Sequence, residues 1–208
     1  MKKYAVEFIG TFFLVFTVGM CVLDPGAGNL APLAIGSVLA IMIFSGGHVS
    51  GAHYNPAVTT AVTVRGRAAI SDLAGYWGAQ VIAGAIAAFL VLWFKGSPAG
   101  ELLVLEMPKA LAAEFLFTFA LANTVINVAT AKGTSGNSFY GLAIGFTVLA
   151  GAYAVGGVSG GAFNPAVTVG LVIMGKLTAA QMGAYIAVQL LAGAAAGTLY
   201  KVINPDDR

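Results

Sequence analysis

Two asparagines carry the most specific chemistry in this chain. Asn55 lies in GHVSGAHYNPAV, residues 47–58, and Asn164 lies in GGVSGGAFNPAV, residues 156–167, so that the two stand 109 residues apart. Each is followed by Pro-Ala. Proline suits the first helical position, where its missing N–H is not needed, and asparagine just before it is a good N-cap. Each phrase therefore predicts a helix that begins at the Asn-Pro pair, approached by Gly-rich backbone at 50–54 and 159–163. The asparagine side chain offers N–H donors, and each helix N-terminus adds roughly half a positive charge. Such a pair can orient a neutral polar molecule such as water and repel a cation. It cannot make or break a covalent bond. Around it stand two carboxylates in apolar surroundings, Glu7 and Glu114, two glutamines, Gln80 and Gln189, and two histidines, His48 and His53.

The elements that hold these groups are membrane helices. Of the 208 residues, 59% are hydrophobic and 9% charged, against about 25% charged in soluble domains. The net charge of +2 gives no reason to expect nucleic acid. A membrane helix needs about 20 mostly apolar residues. Six stretches qualify, at about 4–23, 31–48, 72–94, 108–130, 138–156 and 178–200. Two apolar pieces are too short to cross, at about 56–64 and 165–174, and each starts at an Asn-Pro. The fold class is thus an all-α membrane protein of six transmembrane helices and two re-entrant half-helices. The basic start is followed by an apolar run too long for a removed signal. The one cysteine, Cys21, reads as a structural thiol.

Lysine and arginine set the orientation. With the N-terminus inside, Lys2, Lys3, Arg65, Arg67, Lys132, Lys201 and Arg208 are cytoplasmic, whereas Lys95, Lys109 and Lys176 are outside. Both termini are expected in the cytoplasm, with the protein in the cell membrane. The chain also repeats itself. EFIGTFFLVFTV from Glu7 matches EFLFTFALANTV from Glu114, and the segment holding Gln80 matches that holding Gln189. The two repeats run over about 1–95 and 107–208 within one domain. Three spans per repeat is an odd number, so the second half is inserted upside down, which puts a shared site near the midplane. Irregular backbone at that depth must be buried in protein or line a wet path. The carbonyls of the Gly-rich approaches can then form a ladder of acceptors.

HVSGAHYNPAVT and GVSGGAFNPAVT resemble the two signature loops of the aquaporin, or major intrinsic protein, family. The resemblance covers nearly the whole chain, including the glutamates of spans one and four and the glutamines of spans three and six. It implies a passive channel for water or small neutral solutes, a homotetramer in membrane lipid with one pore per subunit, and no cofactor or metal. It places Asn55, Pro56, Ala57, Asn164, Pro165 and Ala166 at the pore centre. It adds Gly51, Ala52, Gly160, His48 and His53 to the lining, where a free imidazole titrating near 6.5 would confer pH sensitivity. It makes Glu7 and Glu114 buried braces of the loops rather than a proton relay, although an intramembrane acid by itself points to a relay. Asn123 and Asn127 are expected to bond between helices.

The chain departs from the family at the outer constriction. The second loop of the family ends Asn-Pro-Ala-Arg, and here Val167 replaces the arginine. The family's spacing puts the other constriction residues at Ile35, Ala152 and Gly161. A strict water channel has a bulky aromatic and a histidine at the first two of these. Glycerol-conducting relatives keep the arginine and follow it with aspartate, where this chain has Thr168. An apolar ring closes by dewetting if narrow. With side chains this small the expectation is a permissive filter that passes ammonia, methylamine or urea as well as water. Loop residues 95–106 are the other candidate for narrowing the mouth. Two rival classes remain: a secondary transporter, since inverted repeats with broken helices occur there too, and a junction-forming tetramer with little flux. No arrangement of catalytic residues supports an enzyme.

Overall fold

A computed structural model describes residues 1–96 and 101–207. Residues 97–100, part of the candidate mouth loop, and Arg208, counted for orientation, lie outside the described residues. Among the described residues eight α-helices form: α1 Lys2–Val22, α2 Ala31–Ser50, α3 Pro56–Arg65, α4 Leu73–Phe94, α5 Met107–Ala129, α6 Tyr140–Ser159, α7 Pro165–Ile173 and α8 Ala179–Ile203. Six are long and apolar enough to cross a membrane, and α3 and α7 are the short pieces. The expected spans are recovered within a few residues. α2 and α6 run on into the Gly-rich phrases as far as Ser50 and Ser159, and α8 runs three residues past its expected end, to Ile203. α8 starts at a reciprocal cap, in which Thr178 Oγ1 accepts from Gln181 N–H at 3.2 Å and Gln181 Oε1 accepts from Thr178 N–H at 2.7 Å.

Packing follows the repeat. α1 packs on α2 and α4, as α5 packs on α6 and α8. The half-helices cross over: α3 lies against α8 and α5 of the other half, and α7 against α4 and α1. The crossing depends on two glycines. A Cβ on Gly84 of α4 would collide with the Ala166 carbonyl, and one on Gly193 of α8 with the Ala57 carbonyl. Small residues at such points let helix backbones approach closely. The outward faces carry exposed apolar side chains, including Ile41, Phe89, Leu116, Phe146 and Leu191, as lipid contact requires.

At the end of the bundle that holds both termini, Arg65 is fully buried, not on the surface as its place in the orientation count implied. It lies over the Tyr200 ring, 4.3 Å from the centroid, and bonds Asp207 at 2.8 Å. Asp207 also accepts from Lys132 N–H at 2.7 Å, Tyr200 O–H at 2.7 Å and Arg67 at 3.0 Å. The Lys132 amide and the Tyr200 hydroxyl, with the two guanidinium groups, hold its carboxyl well below the usual carboxylate range. This node ties the end of α3 to the α5–α6 connection and to the segment after α8.

Candidate functional site

The re-entrant segments begin at Gly51 and Gly160, which end α2 and α6 in the left-handed conformation, both at φ of 83°. Their N–H groups bond the carbonyls of Gly47 at 2.9 Å and Gly156 at 2.8 Å, and the chain then turns inward, as a glycine after a helix permits. Ala52, Tyr54 and Phe163 also have positive φ, at 51°, 49° and 48°. For residues with a Cβ such backbone costs on the order of 1 kcal/mol each, so something must hold it.

Two wholly buried carboxylates do so. Glu7 accepts from Ser50 O–H at 2.7 Å, His53 N–H at 2.9 Å, Tyr54 N–H at 2.7 Å and Gln80 Nε2 at 2.8 Å. Glu114 accepts from Ser159 O–H at 2.8 Å, Ala162 N–H at 3.0 Å, Phe163 N–H at 2.7 Å and Gln189 Nε2 at 2.8 Å. Each glutamine also donates to a half-helix threonine at 3.0 Å, Gln80 to Thr59 and Gln189 to Thr168. The hydroxyls of Tyr76 and Tyr185 donate to the carbonyls of Ser50 and Ser159, both at 2.7 Å. Bonds to a carboxylate are about twice as strong as neutral ones, and without them the buried N–H groups of His53, Tyr54, Ala162 and Phe163 would be left unpaired.

At the centre the asparagines do two jobs. Asn55 Oδ1 accepts from Ala57 N–H at 2.8 Å, and Asn164 Oδ1 from Ala166 N–H at 2.9 Å, capping α3 and α7. Asn55 Nδ2 donates to the Phe163 carbonyl at 2.9 Å, and Asn164 Nδ2 to the Tyr54 carbonyl at 2.8 Å. One amide hydrogen of each side chain thus locks the two loops together. The other has no protein partner among the described residues. Of the two N–H donors that each asparagine offers, one is therefore left for a passing molecule.

Two cavities approach this pair. The first, about 250 Å³, is lined by Asn55, Asn164, Gly160, His53, Ile35, Ala152, Gly161 and Val167 among others. The second, about 470 Å³, is lined by Gly51, His53, Arg67, Asp72 and Tyr76 among others. His53 and Val125 line both. The His53 ring is set by a 3.1 Å bond between Nδ1 and Thr59 Oγ1 and by the Tyr76 ring at 5.0 Å. Pro56, Ala57, Pro165 and Ala166 line neither cavity. They face protein, with the Pro56 carbonyl accepting from Trp77 Nε1 at 3.1 Å. Ala52 lines neither, and its methyl packs in the core. His48 corrects the reading: it is exposed and lines neither cavity. α2 stays helical through Ser50, which faces Glu7, and a residue two positions earlier lies roughly 200° around the helix. Asn123 and Asn127 bond each other within α5, at 2.8 and 3.2 Å.

The family model described as Major intrinsic protein matches residues 1–153 and again 109–208. The chain belongs to the major intrinsic protein family. It is 36% identical over 222 residues to aquaporin NIP1-3 of Oryza sativa subsp. japonica, covering 100% of this chain and 75% of that one. It is 35% identical over 179 residues to glycerol uptake facilitator protein-like 6 of Lactiplantibacillus plantarum, covering 82% of each. An aquaglyceroporin structure from Plasmodium falciparum superposes with a TM-score of 0.82 at 20% identity, over 98% of this chain and 97% of that one, and shows the same fold. The chain is therefore a multi-pass membrane channel and not an enzyme.

For a member of this family, four residues around the path carry no signal that the sequence analysis used. Ser50 and Ser159 add a hydroxyl to each carboxylate bracket, and the repeated VSG in both phrases was the signal that could have found them. Leu103 and Lys176 line the first cavity. Leu103 lies over the second loop, where its Cδ1 would stand 2.7 Å from a Cβ at Gly160, and no repeat or motif marks it.

Proposed function

We propose that the chain is a permissive passive channel for water and small neutral solutes, with ammonia, methylamine and urea in its range. In this reading it works in a cell membrane as a homotetramer with one pore per subunit and cytoplasmic termini. The observation that carries the reading is the lining of the first cavity. Ile35, Ala152, Gly161 and Val167 share it, and none of the four has a charged or hydrogen-bonding side chain. An arginine at 167 would narrow the ring, donate hydrogen bonds and add a full charge. A unit charge at about 4 Å is worth about 4 kcal/mol at an effective dielectric near 20.

The selectivity that remains comes from the centre. Among the described residues no protein donor reaches the carbonyls of the lining residues Gly51, His53, Gly160, Gly161 and Ala162, so these are available as acceptors along the path. The second amide hydrogens of Asn55 and Asn164 are donors between the two rows. A neutral molecule that both donates and accepts can trade its water partners for these, while the opposed half-helix ends disfavour a cation. A coupled transporter finds less support. Glu7 and Glu114 are the buried carboxylates of the spans, and each is fully engaged by four donors.

The names of the two relatives, an aquaporin and a glycerol uptake facilitator-like protein, bracket the solutes to be tried. In proteoliposomes, swelling under water, urea, methylamine and glycerol gradients is compared with protein-free vesicles. Water, urea and methylamine are each expected to pass at least about tenfold faster than the lipid background, a barrier lowered by about 1.4 kcal/mol. Water flux without urea or methylamine flux overturns the permissive reading.

A further inference from the structure

Lys176 is a charged side chain that lines the same cavity as Val167. It follows the end of α7, where Gly175 turns the chain at φ of 75° and the Lys176 N–H bonds the Leu171 carbonyl at 2.8 Å. Its own carbonyl accepts from Leu103 N–H at 3.0 Å. The backbone is thus pinned between the half-helix and the loop before α5. The side chain is half-buried, and among the described residues no carboxylate comes within ion-pair distance of it. The undescribed residues, Ser97, Pro98, Ala99, Gly100 and Arg208, have no carboxylate side chain. Of the other charges on this side, Lys95, Glu106 and Lys109 have partners, whereas Asp24 is exposed and makes no ion pair among the described residues. Lys95 donates to the Pro25 carbonyl, and Glu106 pairs with the exposed Lys109 at 2.8 Å. Glu101, near Leu103 in the chain, is exposed and makes no ion pair among the described residues.

We propose that Lys176 is the pore's outer cation filter, a specificity-determining charge at the mouth of a channel whose constriction carries none. The inference rests on the permissive reading of the ring. A charge at 167 would act at the narrowest point, on neutral and charged solutes alike, because it also fills space and donates hydrogen bonds. A charge at the mouth leaves the bore to the small residues and acts through the local field. It lowers the concentration of cations at the entrance without changing that of neutral molecules. Clefts with low-dielectric walls and one sign of charge change local ion concentration by about 10- to 1,000-fold. The division of labour lets a wide, neutral ring coexist with cation exclusion: Val167, Ala152 and Gly161 admit small uncharged solutes, and Lys176 thins out their protonated forms and hydronium before they reach the asparagines. The Leu103 tether keeps the lysine's backbone at the rim, so its loop acts as a positioning element.

The test uses the full chain in proteoliposomes, parent against Lys176→Gln, Lys176→Glu and Lys176→Arg. Proton leak under a clamped potential is read by an entrapped pH dye and divided by water flux from the same vesicles. The leak-to-water ratio is expected to rise roughly tenfold in Lys176→Gln, at the low end of that field range, and further in Lys176→Glu. It should return to the parent value in Lys176→Arg. The differences should shrink between about 10 mM and 1 M salt, where the screening length falls from about 30 to 3 Å. A merely structural lysine would show neither the charge order nor the salt dependence. Equal ratios in all four proteins, or a rise that salt does not reduce, overturn the proposal. Urea flux measured in the same preparation separates the two claims, since its absence sinks the permissive ring while the leak ratio still decides the lysine.

Discussion

Glu114→Ala, and Glu7→Ala with it, are expected to abolish the recovery of a monodisperse channel. Each carboxylate accepts four hydrogen bonds, from a serine, two backbone N–H groups and a glutamine. Alanine leaves all four donors buried, at a cost of roughly 1–3 kcal/mol each. The sum rivals the whole stability of a typical domain, about 5–15 kcal/mol. It also frees backbone that Ala52, Tyr54 and Phe163 hold at positive φ only under constraint. Size-exclusion chromatography after detergent extraction is the measurement. Recovery should fall by more than about tenfold in both variants, and less in Glu→Gln, which keeps one acceptor. A normally folded Glu114→Ala protein with altered proton coupling would favour the transporter class.

Val167→Trp is expected to close the pore to water and solutes together. Val167 sits in the first turn of α7, is 4% exposed and lines the cavity opposite Ile35 and Ala152 in the proposed ring. An indole there fills space that Val167 and Gly161 leave empty. In monodisperse protein, swelling with water and with methylamine should each drop by more than about tenfold, an added barrier of about 1.4 kcal/mol. Continued flux of either solute places its route away from residue 167.

The sequence made the scaffold legible because its signals are local or repeated. Apolar run length marks the six spans, and Asn-Pro marks the start of both half-helices. The 109-residue repeat pairs Gln80 with Gln189, and the structure gives each the same partners on its own carboxylate. What could not be read was long-range and unrepeated. The exchange of asparagine hydrogens with the carbonyls of Tyr54 and Phe163 depends on how closely two loops from opposite faces meet. Arg65 looked like a surface charge because its partner Asp207 lies 142 positions away. Lys176 and Leu103 come to the cavity through a single backbone bond between the end of α7 and the loop before α5. His48 was placed in the lining because its neighbours in the phrase belong there, but helical twist carries it outward.

The permissive filter is tested most directly by restoring what residue 167 lacks. Val167→Arg, alone and with Ala152→His, is reconstituted beside the parent, and urea, methylamine and water fluxes are taken by stopped flow from matched vesicles. Arginine at this position narrows the ring, donates to passing solutes and adds a charge. The ratio of methylamine or urea flux to water flux should fall by about tenfold, or about 1.4 kcal/mol of added barrier, with water kept within about twofold. Unchanged ratios in both variants would contradict the assignment of Ile35, Ala152, Gly161 and Val167 as the selective ring, and would move the constriction to another part of the chain, first of all to the loop that carries Leu103.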